Sequence, residues 1–242
     1  GRFLVERLLD DGWTVEVWGR GRPKGALFSR PVAFRPFTLE PGGLDVQGLD
    51  GAELVVHAAF DHVPGRYRGG EGDDPEGFRR RNVDGSITLF QTARAAGVRR
   101  VVFLFTRAVY GTQIPGSVLD ETTPCRPDTL YGKVKLAVEE ALSQMAGPNF
   151  HIARLRVTGV YGPGRPNKWD ALLDDWRAGR MLPTRAGTEV HGDDLAQAVR
   201  LALSELDRTQ DLLLNVSDLV VDHADIVALL NEASGREAAA PP

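Results

Sequence analysis

The chain has 242 residues, 42% hydrophobic and 26% charged, the proportions of a folded globular protein with enough chain for a large core, which excludes disorder, collagen and low complexity. Its 29 Lys+Arg against 33 Asp+Glu leave a formal net charge of -4, so no bulk basic field exists to hold nucleic acid or an anionic membrane. The single cysteine, Cys125, can form no internal disulfide or cysteine metal cluster, which fits a reducing cytoplasm and an inert thiol, and no apolar run approaches the roughly 20 residues of a spanning helix.

Periodicity in the first half alternates between helix and strand, the pattern of successive βα units feeding a parallel sheet. Leu4, Val5, Leu8 and Leu9 make a helical stripe stopped by Gly12, a residue suited to a left-handed cap. Strands are predicted at Trp13–Trp18, Pro31–Phe37 and Glu53–Ala59, the last apolar enough to be buried on both faces. The glycine- and charge-rich stretch Asp61–Asp74 reads as a long loop at a strand's carboxyl end, either a lid over a ligand or a flexible insertion. One long helix is predicted from Pro75 to Ala96, with Gly97 as its stop, then a buried strand at Val101–Phe105. A helix at Thr129–Met145 carries Val134, Ala137, Val138, Ala141, Leu142 and Met145 on one face, and a strand at Phe150–Val157 follows. Beyond it come a Gly/Pro segment at Gly159–Pro166, a helix at Lys168–Ala178, a polar loop, a helix at Asp194–Leu206, a short strand at Leu212–Val216 and a helix at Asp222–Ala233.

Tyr131 and Lys135 stand four apart, so on a helix they share a face about one turn from each other. A phenol titrates near pH 10, and a cation beside it favours the phenolate, which makes the pair a candidate acid/base. Taken alone, such a pair occurs by chance on many solvated helices. Thr106, at the end of the strand VVFLF, begins the run TRAVYG, and a proline-containing loop separates it from Tyr131.

A strand, then Ser/Thr-x-x-Val-Tyr-Gly, then Tyr-x-x-x-Lys resembles the extended short-chain dehydrogenase/reductases, the NAD-dependent epimerase/dehydratase family. Further similar segments follow in order: VVHAA at 55–59, NVDGS at 82–86, RVTGVYGPG at 156–164, HGDDLA at 191–196 and LNVS at 214–217. The resemblance implies a doubly wound parallel, Rossmann-like sheet with a small carboxyl-terminal substrate lobe. The dinucleotide domain is expected over residues 1–156 plus the helix 194–206, and the lobe over 157–193 and 207–242. It implies that Tyr131 is the general acid/base, that Lys135 lowers its pKa and bonds the nicotinamide ribose, and that Thr106 bonds the substrate oxygen. Ala58 and Ala59 would line the cofactor's diphosphate side, and Val157, Thr158 and Gly159 would sit by the carboxamide. A homodimer through the helices Pro75–Ala96 and Thr129–Met145 is also implied.

Other residues carry plainer expectations. Asp193 and Asp194 read as a helix N-cap and a first-turn acid, His191 and His57 as structural imidazoles, and Asn82 as a buried hydrogen-bonding group. No metal site is expected, because no histidines and carboxylates share ligand spacing.

The chain also departs from the family pattern. Its glycine fingerprint is represented only by Gly1, which resembles the third glycine, so a first strand and two glycines are expected upstream of the supplied chain. The tail GREAAAPP is expected to be cut short or disordered. Where sugar dehydratases carry Asp-Glu after the threonine, this chain has Arg107-Ala108, which disfavours elimination of water. The arginine that nucleotide-sugar members place shortly before the histidine would fall near Gly187 or Thr188, with Arg185 two positions off. The family's ribose-binding aspartate would fall at Gly19, and Arg20, with Arg22 and Lys24 behind it, suits a 2′-phosphate instead. NADP is therefore the expected cofactor, with NAD the alternative. Three functions remain open: hydride transfer on a hydroxyl/carbonyl carbon of a sugar or nucleotide sugar, reduction of a small non-sugar carbonyl, and a non-catalytic NADP-binding sensor.

Overall fold

The computed structural model describes residues 1–242 apart from 23, 24, 26, 43–45, 64–68, 115, 165, 166 and 236–242, so Lys24, the middle of the loop 61–74 and the tail from 236 lie outside the described residues. The strands are β1 (Glu16–Gly19), β2 (Ala33–Pro36), β3 (Leu54–His57), β4 (Arg100–Thr106), β5 (His151–Val157), β6 (Gly159–Tyr161), β7 (Ala186–His191), β8 (Asp211–Val216) and β9 (Leu219–Asp222). The helices are α1 (Arg2–Asp10), α2 (Pro75–Arg79), α3 (Gly85–Ala95), α4 (Leu130–Ser143), α5 (Asp170–Arg177), α6 (Gly192–Glu205) and α7 (His223–Ser234).

The main sheet is parallel, in the order β3-β4-β5-β8. Alternation along β4 sends Val101, Phe103 and Phe105 into a core shared with α3 and α4, and Val102 and Leu104 into a second core shared with α1 and α6. The sheet is thus covered on both faces, as a parallel sheet requires, and the doubly wound α/β expectation holds. Each unit begins with local chemistry: Gly12 closes α1 at φ 86°, and the Thr129 hydroxyl accepts from the Gly132 N–H at 3.1 Å to start α4.

Three differences from the periodicity have physical causes. Leu54, Val55 and Val56 in β3 are half-buried rather than enclosed, because β3 bonds only to β4, while β1 and β2 form a separate parallel pair among the described residues. The long helix from Pro75 is broken by a π-helical stretch, Arg80–Asp84, between α2 and α3. The polar stretch before α6 contains β7, which pairs in parallel with β6 and antiparallel with β9 in a second sheet. In addition, β8 joins β5 in parallel, which extends the main sheet to residues 211–216.

Candidate active site

Thr106 ends β4 in register with Val157 of β5, at the carboxyl edge of the sheet where open α/β folds bind ligands. Its Oγ1 accepts from the Ala108 N–H at 3.2 Å and caps the short 3₁₀ turn Arg107–Tyr110, which leaves the hydroxyl proton to be donated elsewhere. That turn lies against the start of α4. A Cβ on Gly132 would fall 2.7 Å from the Ala108 carbonyl oxygen, so the absence of a side chain beside Tyr131 lets the helix approach the turn that follows Thr106.

One turn along α4, Lys135 is 5% exposed and its Nζ donates to the Leu104 carbonyl at 3.1 Å, two residues before Thr106. Three aromatic rings enclose the ammonium, with Phe60 and Phe103 at 4.7 Å and Phe105 at 6.0 Å. Removal from water pushes its pKa down to about 7. Phe60 also meets the Tyr131 ring edge-on at 5.0 Å, which ties the phenol and the amine to one side chain. The structure therefore gathers Thr106, Tyr131 and Lys135 at one edge and adds Phe60, a residue whose type gave the sequence no chemical signal.

Ala58 is exposed just past β3, and Ala59 packs on the α3/α4 core. Val157 is buried, and Thr158 is tied to the Val216 carbonyl through its N–H at 3.1 Å and its hydroxyl at 3.3 Å. Gly159 begins β6, and a side chain there would collide with Lys168 Nζ and Glu189 Oε2, which form a tight ion pair. Gly1 is the N-cap of α1. Arg20 extends from the end of β1 to Asp61, at 3.1 Å. Asp61 in turn receives Arg81 Nε at 2.6 Å, and its backbone is gripped on both sides by the Asn82 amide, at 2.8 and 2.7 Å.

The plainer expectations are resolved residue by residue. Asn82 is buried and structural. The cap of α6 is the His191 side chain, which accepts from the Asp193 N–H at 3.3 Å, so Asp193 and Asp194 are both first-turn acids. His57 is enclosed, stacked on Phe103 at 4.9 Å, and burial with Lys135 nearby holds its pKa at about 3. Ser86 gives its only hydroxyl proton to the Asn82 carbonyl at 2.6 Å, so the 2.9 Å contact from His57 Nε2 is a donation by the ring, which fixes the tautomer. Burial also raises the Cys125 thiol, which disfavours its reactive thiolate form. Among the described residues no group of three or more His, Cys, Asp or Glu could hold a metal, and no helix is long and apolar enough to cross a membrane.

A buried network missed by pattern reading supports this edge from behind. Arg156 donates to Glu139 at 2.6 and 3.0 Å and to the Tyr110 hydroxyl at 2.8 Å, joining β5, α4 and the turn after Thr106. The guanidinium is held strongly in its charged form by these partners despite burial.

The parallel sheet covered on both faces, with a phenol, an amine and a threonine hydroxyl at its carboxyl edge, defines a Rossmann-like α/β protein of the extended short-chain dehydrogenase/reductase type. Residues 1–216 match the profile of the NAD dependent epimerase/dehydratase family, and the chain belongs to that family of NAD-dependent enzymes. It is 42% identical over 255 aligned residues to a UDP-glucose 4-epimerase of Streptomyces lividans, covering 90% of this chain and 72% of that protein. It is 29% identical over 189 residues to the mouse (Mus musculus) sterol-4-alpha-carboxylate 3-dehydrogenase, decarboxylating, covering 75% of this chain and 48% of that protein. The chain thus spans about half the length of several curated relatives, 48% and 49% of two of them. Among solved structures, MoeE5 in complex with UDP-glucose and NAD superposes with a TM-score of 0.76 at 28% identity, covering 99% of this chain and 80% of MoeE5.

Proposed function

We propose that the protein transfers hydride between a nicotinamide cofactor and a hydroxyl/carbonyl carbon of a sugar or nucleotide sugar, as an epimerase or oxidoreductase. The observation that supports this best is the convergence of Thr106, Tyr131 and Lys135 on one sheet edge, with Lys135 desolvated against Phe60 and bonded to Leu104. The residues fit a dinucleotide: a buried ammonium with one hydrogen-bond acceptor among the described residues keeps donors for a ribose, and exposed Ala58 leaves the backbone approachable. Lys135 and Tyr131 would hold the nicotinamide ribose, Gly1, Ala58 and Ala59 the diphosphate side, Val157, Thr158 and Gly159 the carboxamide, and Arg20 a 2′-phosphate, which makes NADP the proposed cofactor and NAD the alternative. When bound, the nicotinamide supplies the hydride acceptor and donor.

Tyr131 takes the proton from the substrate hydroxyl, or returns it to the carbonyl oxygen, while the Thr106 hydroxyl donates to that oxygen and fixes its position. A phenolate beside Lys135 favours the protonated amine, and the cation in turn favours the phenolate, so each charge supports the other. The lobe is proposed to consist of the β6-β7-β9 sheet with α5 and α7, facing the same edge. A homodimer through α3 and α4 belongs to this reading and is read out by sedimentation equilibrium.

Tyr131→Phe tests the assignment. The ring still packs on Phe60, so folding and dinucleotide binding should persist while the rate falls about 10²–10⁴-fold. Activity within a few-fold of the parent would remove Tyr131 from the mechanism. The similarity to the sterol dehydrogenase favours a second reading, oxidation or reduction of a non-sugar substrate. Net change in nicotinamide absorbance separates the two, because an epimerase returns its hydride and a dehydrogenase or reductase does not.

A further inference from the structure

Among the described residues, four groups surround the ammonium of Lys135, and three of them belong to one strand. The Leu104 carbonyl accepts its hydrogen bond, and the Phe103 and Phe105 rings lie 4.7 and 6.0 Å away, all from β4. That strand is paired on one side with β3 and on the other with β5, and both phenylalanines are buried in it, so none of the three can move without disturbing the sheet. The fourth group, the Phe60 ring at 4.7 Å, is held differently. It lies three residues beyond His57, the last residue of β3, on irregular chain, and it is only half-buried.

The backbone around Phe60 is anchored on both sides. Ala59 packs on the α3/α4 core, and the N–H and carbonyl of Asp61 are both bonded to the Asn82 amide. What remains free to change is rotation about the side-chain bonds of Phe60 itself. Its ring contacts are edge-on to Tyr131 and to Phe78, at 5.0 and 5.5 Å, and tilted against His62 at 5.8 Å. Lys135 is buried beneath this ring, so a hydroxyl that is to accept from its ammonium needs one of the four groups to give way, and Phe60 is the one whose fixing is weakest.

We propose that Phe60 is a displaceable cover over Lys135, and that the nicotinamide ribose of the dinucleotide reaches the ammonium only when the Phe60 ring turns aside. This rests on the cofactor reading above and adds to it a residue that sets how tightly one half of the cofactor is held. The ring gives up its contacts with Lys135 and Tyr131 before the ribose makes its own, so the affinity for the dinucleotide is reduced by the fraction of molecules in which the cover is closed. Groups that bind farther along the sheet edge, at Gly1 and Ala58, do not have to displace it.

The test is a titration of the unaltered protein, Phe60→Leu and Phe60→Ala with NADPH and NADH, which carry the nicotinamide ribose, and with ADP, which does not. Removing the cover should tighten binding of the preferred dinucleotide about threefold in Phe60→Leu and on the order of tenfold in Phe60→Ala, with the affinity for ADP unchanged in both. A ring that served packing alone would give the opposite sign, with ADP and dinucleotide weakened together as the melting temperature falls. Dinucleotide binding equal to or weaker than that of the parent, or an ADP affinity that changes in step with it, overturns the proposal. Phe60→Leu, which keeps an apolar side chain against Phe78, decides the matter if Phe60→Ala does not fold. Failure of the unaltered protein to bind either dinucleotide defeats the cofactor reading and the cover with it, whereas dinucleotide binding indifferent to Phe60 defeats the cover alone.

Discussion

The Phe60 ring stands edge-on to the Tyr131 ring, centroids 5.0 Å apart and planes at 86°, and presents its own face to Lys135 Nζ 4.7 Å away. One apolar side chain thereby sets the packing of the phenol and the dryness of the ammonium. In Phe60→Ala, water reaches Lys135. The lost cation–π contact, worth about 0.5–2 kcal/mol, favours the neutral amine, but regained hydration favours the ammonium and outweighs it, since burial holds the pKa several units below its ordinary value. The pKa of Lys135 should rise from about 7, and the corresponding limb of the kcat/KM pH profile should move upward with it. A profile unchanged in position would show that Phe60 does not control the desolvation.

Lys135 should also cost stability at neutral pH. Its folded pKa of about 7 lies below the unfolded value near 10.4, so between these pH values the unfolded chain binds more protons and native stability rises with pH. Below the folded pKa both states are protonated and the penalty is complete. Lys135→Met should therefore be more resistant to urea at pH 7 than the parent, by less at pH 9, and inactive at both. Identical pH dependence in the two proteins would contradict the burial of a titrating amine.

His57 sets the opposite end of the scale. Neutral in the folded state with a pKa of about 3 and ordinary near 6.5 when unfolded, it removes stability progressively as pH falls through that interval and contributes no pH dependence above it. His57→Gln keeps a donor near Ser86 without a titrating ring. Its urea midpoint should fall less between pH 6.5 and 4 than that of the parent, the remainder of the acid loss coming from carboxylates common to both.

Cofactor choice turns on a competition. Arg20 is paired with Asp61, and the pair is solvent-facing, with the arginine side chain 65% exposed, so little energy opposes its exchange for a phosphate. NADPH is expected to bind more tightly than NADH, Arg20→Ala should remove most of that difference while leaving NADH affinity nearly unchanged, and Asp61→Asn should enlarge it by releasing the guanidinium. Fluorescence titration of both dinucleotides against the three proteins checks this. A preference indifferent to either substitution would return the choice to NAD.

Local chemistry made the first half of the fold readable. Leu4 and Leu9 face the core, Gly12 and Gly97 stop their helices, and the alternation of β4 follows the run VVFLF. Interactions between distant residues were not legible in this way. The stretch AGTEVH gives no apolar alternation because Glu189, buried within it, is neutralised by Lys168 from another segment. Arg156 and Glu139 sit 17 positions apart, on β5 and α4, and nothing in their local spacing marks the buried pair they form. Tyr131 and Lys135 stand out in the sequence by their spacing and Thr106 by the motif that resembles the family, whereas Phe60 does not, since its contacts depend on which helix crosses above it.

The π-helical stretch at Arg80–Asp84 divides labour along a single rod. Phe78, before the stretch, and Asn82, within it, serve the loop that follows β3, through the bonds from the Asn82 amide to the Phe78 carbonyl at 2.9 Å and to Asp61. On its carboxyl side, Ser86 serves the strand itself, through His57. A uniform α-helix advances about 100° per residue, and a widened turn inserts one residue and so reorients everything beyond it by that angle. Gly85, at the junction, has no room for a side chain beneath the Leu39 carbonyl, which pins the rod where its direction changes. Deleting one residue from 80–84 would therefore preserve helicity and mis-aim the carboxyl half, turning Ser86, Leu89 and Phe90 away from the sheet. Length between Asn82 and Ser86 is consequently less tolerant of change than side-chain identity at the exposed positions among them.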